Sequence, residues 1–169
     1  GATGLTGGLL LKQLIKDVSY KNIKLFSRSK IDDLPNKVTQ FIGDMLQLEQ
    51  FKTDFTADQV FCCIGTTKSK TPDKMVYKSI DYGIPVTAAK LAKDNGIDTF
   101  LVISALGANA KSNVFYNKTK GEMERDVLKQ NIKNTFIFQP SLIGGDLLIA
   151  SLQQTSFSLR KLWAFTGPG

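Results

Sequence analysis

Along the chain, short runs that are apolar at nearly every position alternate with longer segments whose apolar residues recur at helical spacing. The runs "NIKLF" (22–26), "VTQFI" (38–42), "QVFCCI" (59–64), "TFLVIS" (99–104) and "TFIFQ" (135–139) are rich in β-branched and aromatic residues and read as strands. Several carry apolar residues toward both faces, which predicts parallel strands covered on both sides. Between them the pattern predicts three helices: 5–16 with Leu9, Leu10 and Leu14 inward, 73–94 with Ile80, Ile84, Ala88 and Leu91 inward, and 115–130 with Met123 and Val127 inward. Strands separated by helices predict right-handed βαβ units and an α/β fold, a doubly wound parallel sheet with helices on both faces. Pro85 removes a backbone donor from the second helix, which is therefore expected to kink or break there.

After "QPSLIGGD" the pattern loosens. Residues 147–169 hold an apolar piece, a polar stretch and the basic-aromatic "LRKLWAF", expected to form part of a small C-terminal substrate or lid region that packs on the rest. With no internal repeat and no low-complexity linker, residues 1–169 read as one domain.

Composition changes this picture little. The chain has 169 residues, 42% hydrophobic and 22% charged, as in an ordinary globular domain. No apolar run approaches the roughly 20 residues of a membrane span, so no membrane partner is expected and the default location is the cytoplasm. The net charge of +7 raises nucleic acid as a partner. Its basic residues are scattered, in pieces such as "KSKTPDK", so a small anionic ligand is favoured instead. Cys62 and Cys63 are adjacent and read as reduced core residues; with no histidine in the chain, no metal site is expected.

The first candidate chemistry is "GATGLTG". Gly1 can turn out of a strand, Gly4 can admit a diphosphate against the backbone, and Gly7 can bring a helix close to the sheet, a pattern that suits a phosphate loop but also occurs in ordinary turns. Gly1, Thr3, Gly4, Leu5, Thr6 and Gly7 are the candidate phosphate-binding residues, beneath the positive end of the helix that follows. In NAD-preferring sites an acidic residue closes the second strand. Here that strand runs into "LFSRSK", and Ser27 and Arg28 suit a 2′-phosphate, so NADP (NADPH) is favoured over NAD. After the next strand, Asp44 can accept from an adenine amino group while the Met45 backbone lines the ring. Ile64, Gly65, Thr66 and Thr67 form a small loop past which a cofactor can run.

A second set lies in "ISALGANAKSNVFYNKTKGEMERDV". Tyr116 and Lys120 are four apart on a predicted helix and share a face. A tyrosine with pKa about 10 works poorly at neutral pH until a cation favours its phenolate. Lys120 can supply that charge and bind a cofactor ribose, and Ser104 at a strand end can orient a substrate carbonyl beside the tyrosine.

With the glycine loop, the strand-end serine and the Tyr-x-x-x-Lys pair in this order, the chain resembles the short-chain dehydrogenase/reductase superfamily, in its atypical NAD(P)-binding branch that includes Tat-interacting-protein-like and NmrA-like proteins. The resemblance runs from Gly1 to about Asp146 and includes "GDMLQLEQF", "CIGTT", "YNKTKGEMERDV" and "QPSLIGGD". It implies that Tyr116 is the catalytic acid/base, Lys120 its activator and ribose anchor, and Ser104 the substrate-orienting hydroxyl. It also implies that Pro140, Ser141 and Leu142 lie near the nicotinamide.

The expected function is an NADP-dependent oxidoreductase passing a hydride to or from a small carbonyl or alcohol. The alternatives are an enzyme like the nucleotide-sugar epimerases and dehydratases, or a non-catalytic NADP(H)-sensing protein. A protein partner or a second copy of the chain is compatible with any of these. A phosphate loop at residue 1 presupposes a strand leading into it, so a strand ahead of Gly1, and further C-terminal substrate region, are expected in the natural protein.

Overall fold

The computed structural model describes residues 1–140, and the expectations placed on Ser141, Leu142 and residues 147–169 lie outside the described residues. Five parallel strands form the sheet framework: β1 (Ile23–Ser27), β2 (Val38–Ile42), β3 (Gln59–Cys62), β4 (Thr99–Ile103) and β5 (Asn134–Phe138). They fall into two sheets. β1 pairs with β2, from Ile23 opposite Val38 to Ser27 opposite Ile42. β4 is central to the other, with Phe100 opposite Val60 of β3 on one side and Thr135 of β5 on the other. Its buried run from Thr99 to Val102 reflects cover on both faces, as the unbroken apolar pattern predicted.

Four α-helices connect and cover these strands. α1 (Leu5–Lys16) has the predicted bounds, but Leu11 rather than Leu9, Leu10 or Leu14 is its buried leucine, because it packs on Ile23 and Leu25 of β1. The long predicted second helix is three pieces: α2 (Lys74–Lys78), a π-helical turn (Ser79–Gly83) and α3 (Ile84–Asp94). The break comes before Pro85, not at it. Proline is at home in the first turn of α3, where no intrahelical donor is required, and the Ile84 N–H reaches back to the Ser79 carbonyl across the widened turn. A 3-10 helical segment, Met45–Phe51, was not predicted; Asp44 caps it by accepting from the Leu46 N–H at 2.9 Å. α4 (Phe115–Leu128) completes the set.

The main core lies between the α3 and α4 helices and the β3–β4–β5 sheet, with Ala89, Ala92, Phe100, Met123 and Val127 fully buried. Gly121 sets how closely α4 lies on the chain after β4: a Cβ there would overlap the backbone of Asn109 and Ala110. β1 and β3 do not pair with each other. Between them is a cavity of about 960 Å³ lined by Gly1, Leu11, Ile23, Leu25, Val60 and Phe61.

Candidate active site

The glycine loop passes into α1 with Gly4 as its N-cap, and no side chain caps the helix. The N–H groups of the first turn therefore face outward without a side-chain acceptor, the arrangement that receives a diphosphate. Gly7 is required by contact: a Cβ there would overlap the Gly1 carbonyl oxygen, and the Gly4 N–H donates to that same oxygen at 2.9 Å. These two features fit the pyrophosphate of a dinucleotide. Thr3 and Leu5 are exposed and Thr6 is half-buried around the same turn.

At the end of β1, Arg28 is exposed and Ser27 is buried. The Ser27 hydroxyl donates to the Ser29 carbonyl at 2.8 Å and thereby shapes the turn that carries Arg28. Past β2, one carboxylate oxygen of the exposed Asp44 accepts from Leu46, while Met45 turns its side chain into the core. The candidate 2′-phosphate and adenine contacts thus come from two neighbouring parallel strand ends.

The loop after β3 is where the candidate sites converge. Its Thr66 N–H donates to Asp81 at 2.7 Å, and its Thr66 hydroxyl pairs with Thr71 at 2.8 Å. Asp81, in the π-helical turn, is paired in turn with Lys120 of α4 at 2.7 Å, with side chains only 1% and 5% exposed. A Cβ on Gly65 would stand 3.5 Å from the Asp81 carboxylate and 3.9 Å from the Lys120 ammonium, so the loop backbone passes directly over the ion pair. Sequence reasoning did not single out Asp81. Its one signal is an acidic residue between Ile80 and Tyr82 on the apolar face of a helical pattern.

Tyr116 lies one turn before Lys120, 41% exposed, and makes no hydrogen bond through its hydroxyl among the described residues. Its ring meets Tyr77 of α2 edge-on at 6.5 Å, and Tyr77 donates to the Thr66 carbonyl at 3.3 Å. Burial, and after it the Asp81 carboxylate, push the Tyr116 phenol above its ordinary value. The direction is opposite to that expected of a tyrosine facing a free lysine charge. Burial is the first reason, and Asp81 the second, its carboxylate standing against the Lys120 ammonium at contact distance.

Ser104 follows β4 directly and is 4% exposed. It donates its hydroxyl proton to Glu124 of α4, one turn beyond Lys120, and the Gln139 amide donates to the same carboxylate at 2.8 and 3.0 Å. Glu124 was also missed by sequence reasoning. Pro140 accepts from the Leu106 N–H at 3.0 Å, which joins the chain after β5 to the loop after β4. Ser104 directly follows β4, the loop at 64–67 directly follows β3, and Lys120 meets that loop through Asp81, at the carboxyl ends of strands where ligands of such sheets bind. Cys62 is buried and burial drives the Cys63 thiol up to about 12, so neither is a reactive thiolate.

Residues 1–141 match the NAD(P)H-binding family. "Protein FMP52-1, mitochondrial" of Scheffersomyces stipitis is 33% identical over 153 residues, covering 86% of this chain and 66% of that protein. "Protein HTATIP2" of Rattus norvegicus is 32% identical over 148 residues, covering 85% of this chain and 60% of that protein. The chain thus spans less than two thirds of the length of these relatives. Among solved structures, the Citrobacter sp. triphenylmethane reductase complexed with NADP(H) is similar at a TM-score of 0.68 and 20% identity, covering 94% of this chain and 53% of that one. The UDP-glucose 4-epimerase of Thermotoga maritima also gives 0.68, at 12% identity, covering 82% and 53%. Both likenesses concern the fold, which is of the Rossmann type. The expectation of a cytoplasmic location is corrected here: several relatives, including "Protein FMP52, mitochondrial" of Candida albicans, are named for the mitochondrion. Hydropathy had shown only that no apolar run in this sequence reaches the length of a membrane span, and it carried no information on compartment. On its match over residues 1–141, which include all the described residues, this chain belongs to the NAD(P)H-binding family.

Proposed function

We propose that this chain is the cofactor-binding part of an NADP-dependent oxidoreductase, acting on a small carbonyl or alcohol, in a mitochondrial protein. The observation that carries the reading is the approach of Lys120 to the loop after β3: the Tyr-x-x-x-Lys face of α4 meets the strand end past which a dinucleotide would run. The uncapped start of α1 and the Gly1–Gly7 contact support diphosphate binding beside it. The absence of a carboxylate at the end of β1, with Arg28 exposed there, supports NADP over NAD. The mitochondrial location follows the names of the relatives.

A bound nicotinamide dinucleotide would supply the hydride chemistry. The first turn of α1 would hold its diphosphate and Arg28 its 2′-phosphate. Lys120 keeps two of its three N–H donors for ribose hydroxyls, since one points to Asp81. Tyr116, partly open to the site, would move the proton at the substrate oxygen. Because its phenol stays protonated well above neutral pH, the residue is suited to donate, that is, to carbonyl reduction. Ser104 gives its own proton to Glu124, so toward a substrate it would present an acceptor oxygen, and orienting a carbonyl would require that proton to turn away from Glu124.

Titration calorimetry with NADPH and NADH tests the cofactor reading, and failure to bind NADPH at millimolar concentration ends it. With a panel of carbonyl compounds, Tyr116→Phe should lower NADPH oxidation on the order of 100- to 10,000-fold while NADPH binding is kept. One observation favours a non-catalytic NADP(H)-responsive protein instead: the raised Tyr116 phenol is not activated as a base. NADPH binding without turnover of any compound in that panel would decide for it.

A further inference from the structure

We propose that Asp81 is a positioning residue of this site: its buried carboxylate holds the Lys120 ammonium on one oxygen and the Thr66 N–H on the other, so that a single group sets both the Tyr116–Lys120 face of α4 and the loop after β3. The proposal rests on the oxidoreductase reading and deepens it.

Lysine carries a mobile ammonium on a four-carbon stem, with three donors and no fixed direction of its own. At 2.7 Å, Asp81 takes one donor and thereby gives the other two a direction. Asp81 is itself held by the Thr66 N–H at 2.7 Å, and it stands in the π-helical turn Ser79–Gly83 between two α-helices. Such single π-turns often occur at functional sites. Breaking the pair from either side leaves a buried charge without its partner, so each group keeps the other in place. At Gly65 the loop runs beside the pair closely enough that an added Cβ would come into van der Waals contact with the Asp81 carboxylate and the Lys120 ammonium.

This arrangement also governs Tyr116. The charged and titratable groups that act on that phenol are Asp81 from the π-helical turn and Tyr77 from α2, while Lys120, one turn along its own helix, is held by Asp81. With the ammonium opposed by a carboxylate in contact, Tyr116 faces a paired site rather than a bare cation. Its upward displacement, by burial and then by Asp81, agrees with that geometry. Asp81 thus holds Lys120 with one oxygen while its own charge acts on the proton-transferring hydroxyl.

The test uses the full chain labelled with 13Cζ-tyrosine, with Tyr116→Phe identifying the resonance. Asp81→Asn keeps the size of the side chain and an oxygen for Thr66 but removes the charge. In that variant the Tyr116 titration should move to lower pH; an unchanged midpoint in the folded variant overturns the proposal. A second variant, Lys120→Met, leaves Asp81 present but removes its partner. It should speed hydrogen exchange at the Thr66 amide, with Phe100 as an unaffected reference, and unchanged Thr66 exchange likewise overturns the proposal should Asp81→Asn fail to fold. Neither readout needs cofactor or substrate. Absence of NADPH binding in the parent chain would therefore sink the oxidoreductase reading without altering what these two measurements say of Asp81.

Discussion

Ser104, the residue immediately after β4, donates its hydroxyl proton to Glu124 of α4, and Gln139 beyond β5 donates to the same carboxylate. Three elements that are far apart in sequence are joined at one acidic group on the helix that carries Tyr116 and Lys120. A half-buried carboxylate held by two donors stabilises only while both partners are kept. Ser104→Ala and Glu124→Ala should each cost about 1–3 kcal/mol in urea unfolding. The double variant should be little worse than Glu124→Ala alone, because that change already removes the Ser104 bond along with those of Gln139. Strict additivity of the two losses would show that the contact contributes nothing.

Arg28 separates the two cofactors. If its guanidinium binds a 2′-phosphate, Arg28→Ala removes a charge-assisted contact that NADH never makes. NADPH affinity should fall roughly tenfold to a hundredfold. NADH affinity should stay nearly constant, and calorimetry on the same preparation reads both. Equal weakening of the two would place Arg28 outside the phosphate site.

Acid sensitivity should centre on Asp126. Hydrogen bonds from Arg125 and Lys129, with a further one from Tyr82 at 2.9 Å, hold this carboxyl well below the usual carboxylate range. A carboxyl depressed in the folded state adds stability that is fully present above its unfolded value, about 3.9, and is lost as pH falls from there toward the folded value. Asp126→Asn should therefore be less stable than the parent at pH 7, with the gap closing below about pH 4. A gap independent of pH would remove the ionic account.

Gly121 is a packing requirement. Adding a methyl forces α4 away from the backbone of Asn109 and Ala110, with nothing flexible there to give. Gly121→Ala should cost about 1–3 kcal/mol despite the better helix propensity of alanine. A stabilised variant, by thermal melting, would show that the helix can move without loss.

Much of the frame was legible because its signals are local. β2 lies within the bounds read from "VTQFI", and β4 is buried through Val102 as an unbroken apolar run implies. The glycine loop, Tyr116 and Lys120 could be singled out because each motif sits within a few residues of sequence. Asp81 and Glu124 could not. Each looks like one more acid on a helix, and only the crossing of α4 with the π-helical turn and the β4 end gives either a partner. The position of the helix break was misjudged as well: Pro85 is visible in the sequence, but it sits in the first turn of α3, and the irregularity falls in the π-helical turn before it.

By itself, then, the sequence determined the strand and helix alternation, the parallel sheet class and the uncapped glycine entry into α1, because backbone periodicity and glycine sterics act over a few residues. The electrostatic state of the site was decided by tertiary structure. Lys120 was read as a free cation beside Tyr116, and the fold instead sets a buried carboxylate against it at 2.7 Å. Charge interactions act through space, and in a buried site their sign at any one atom depends on every element packed around it.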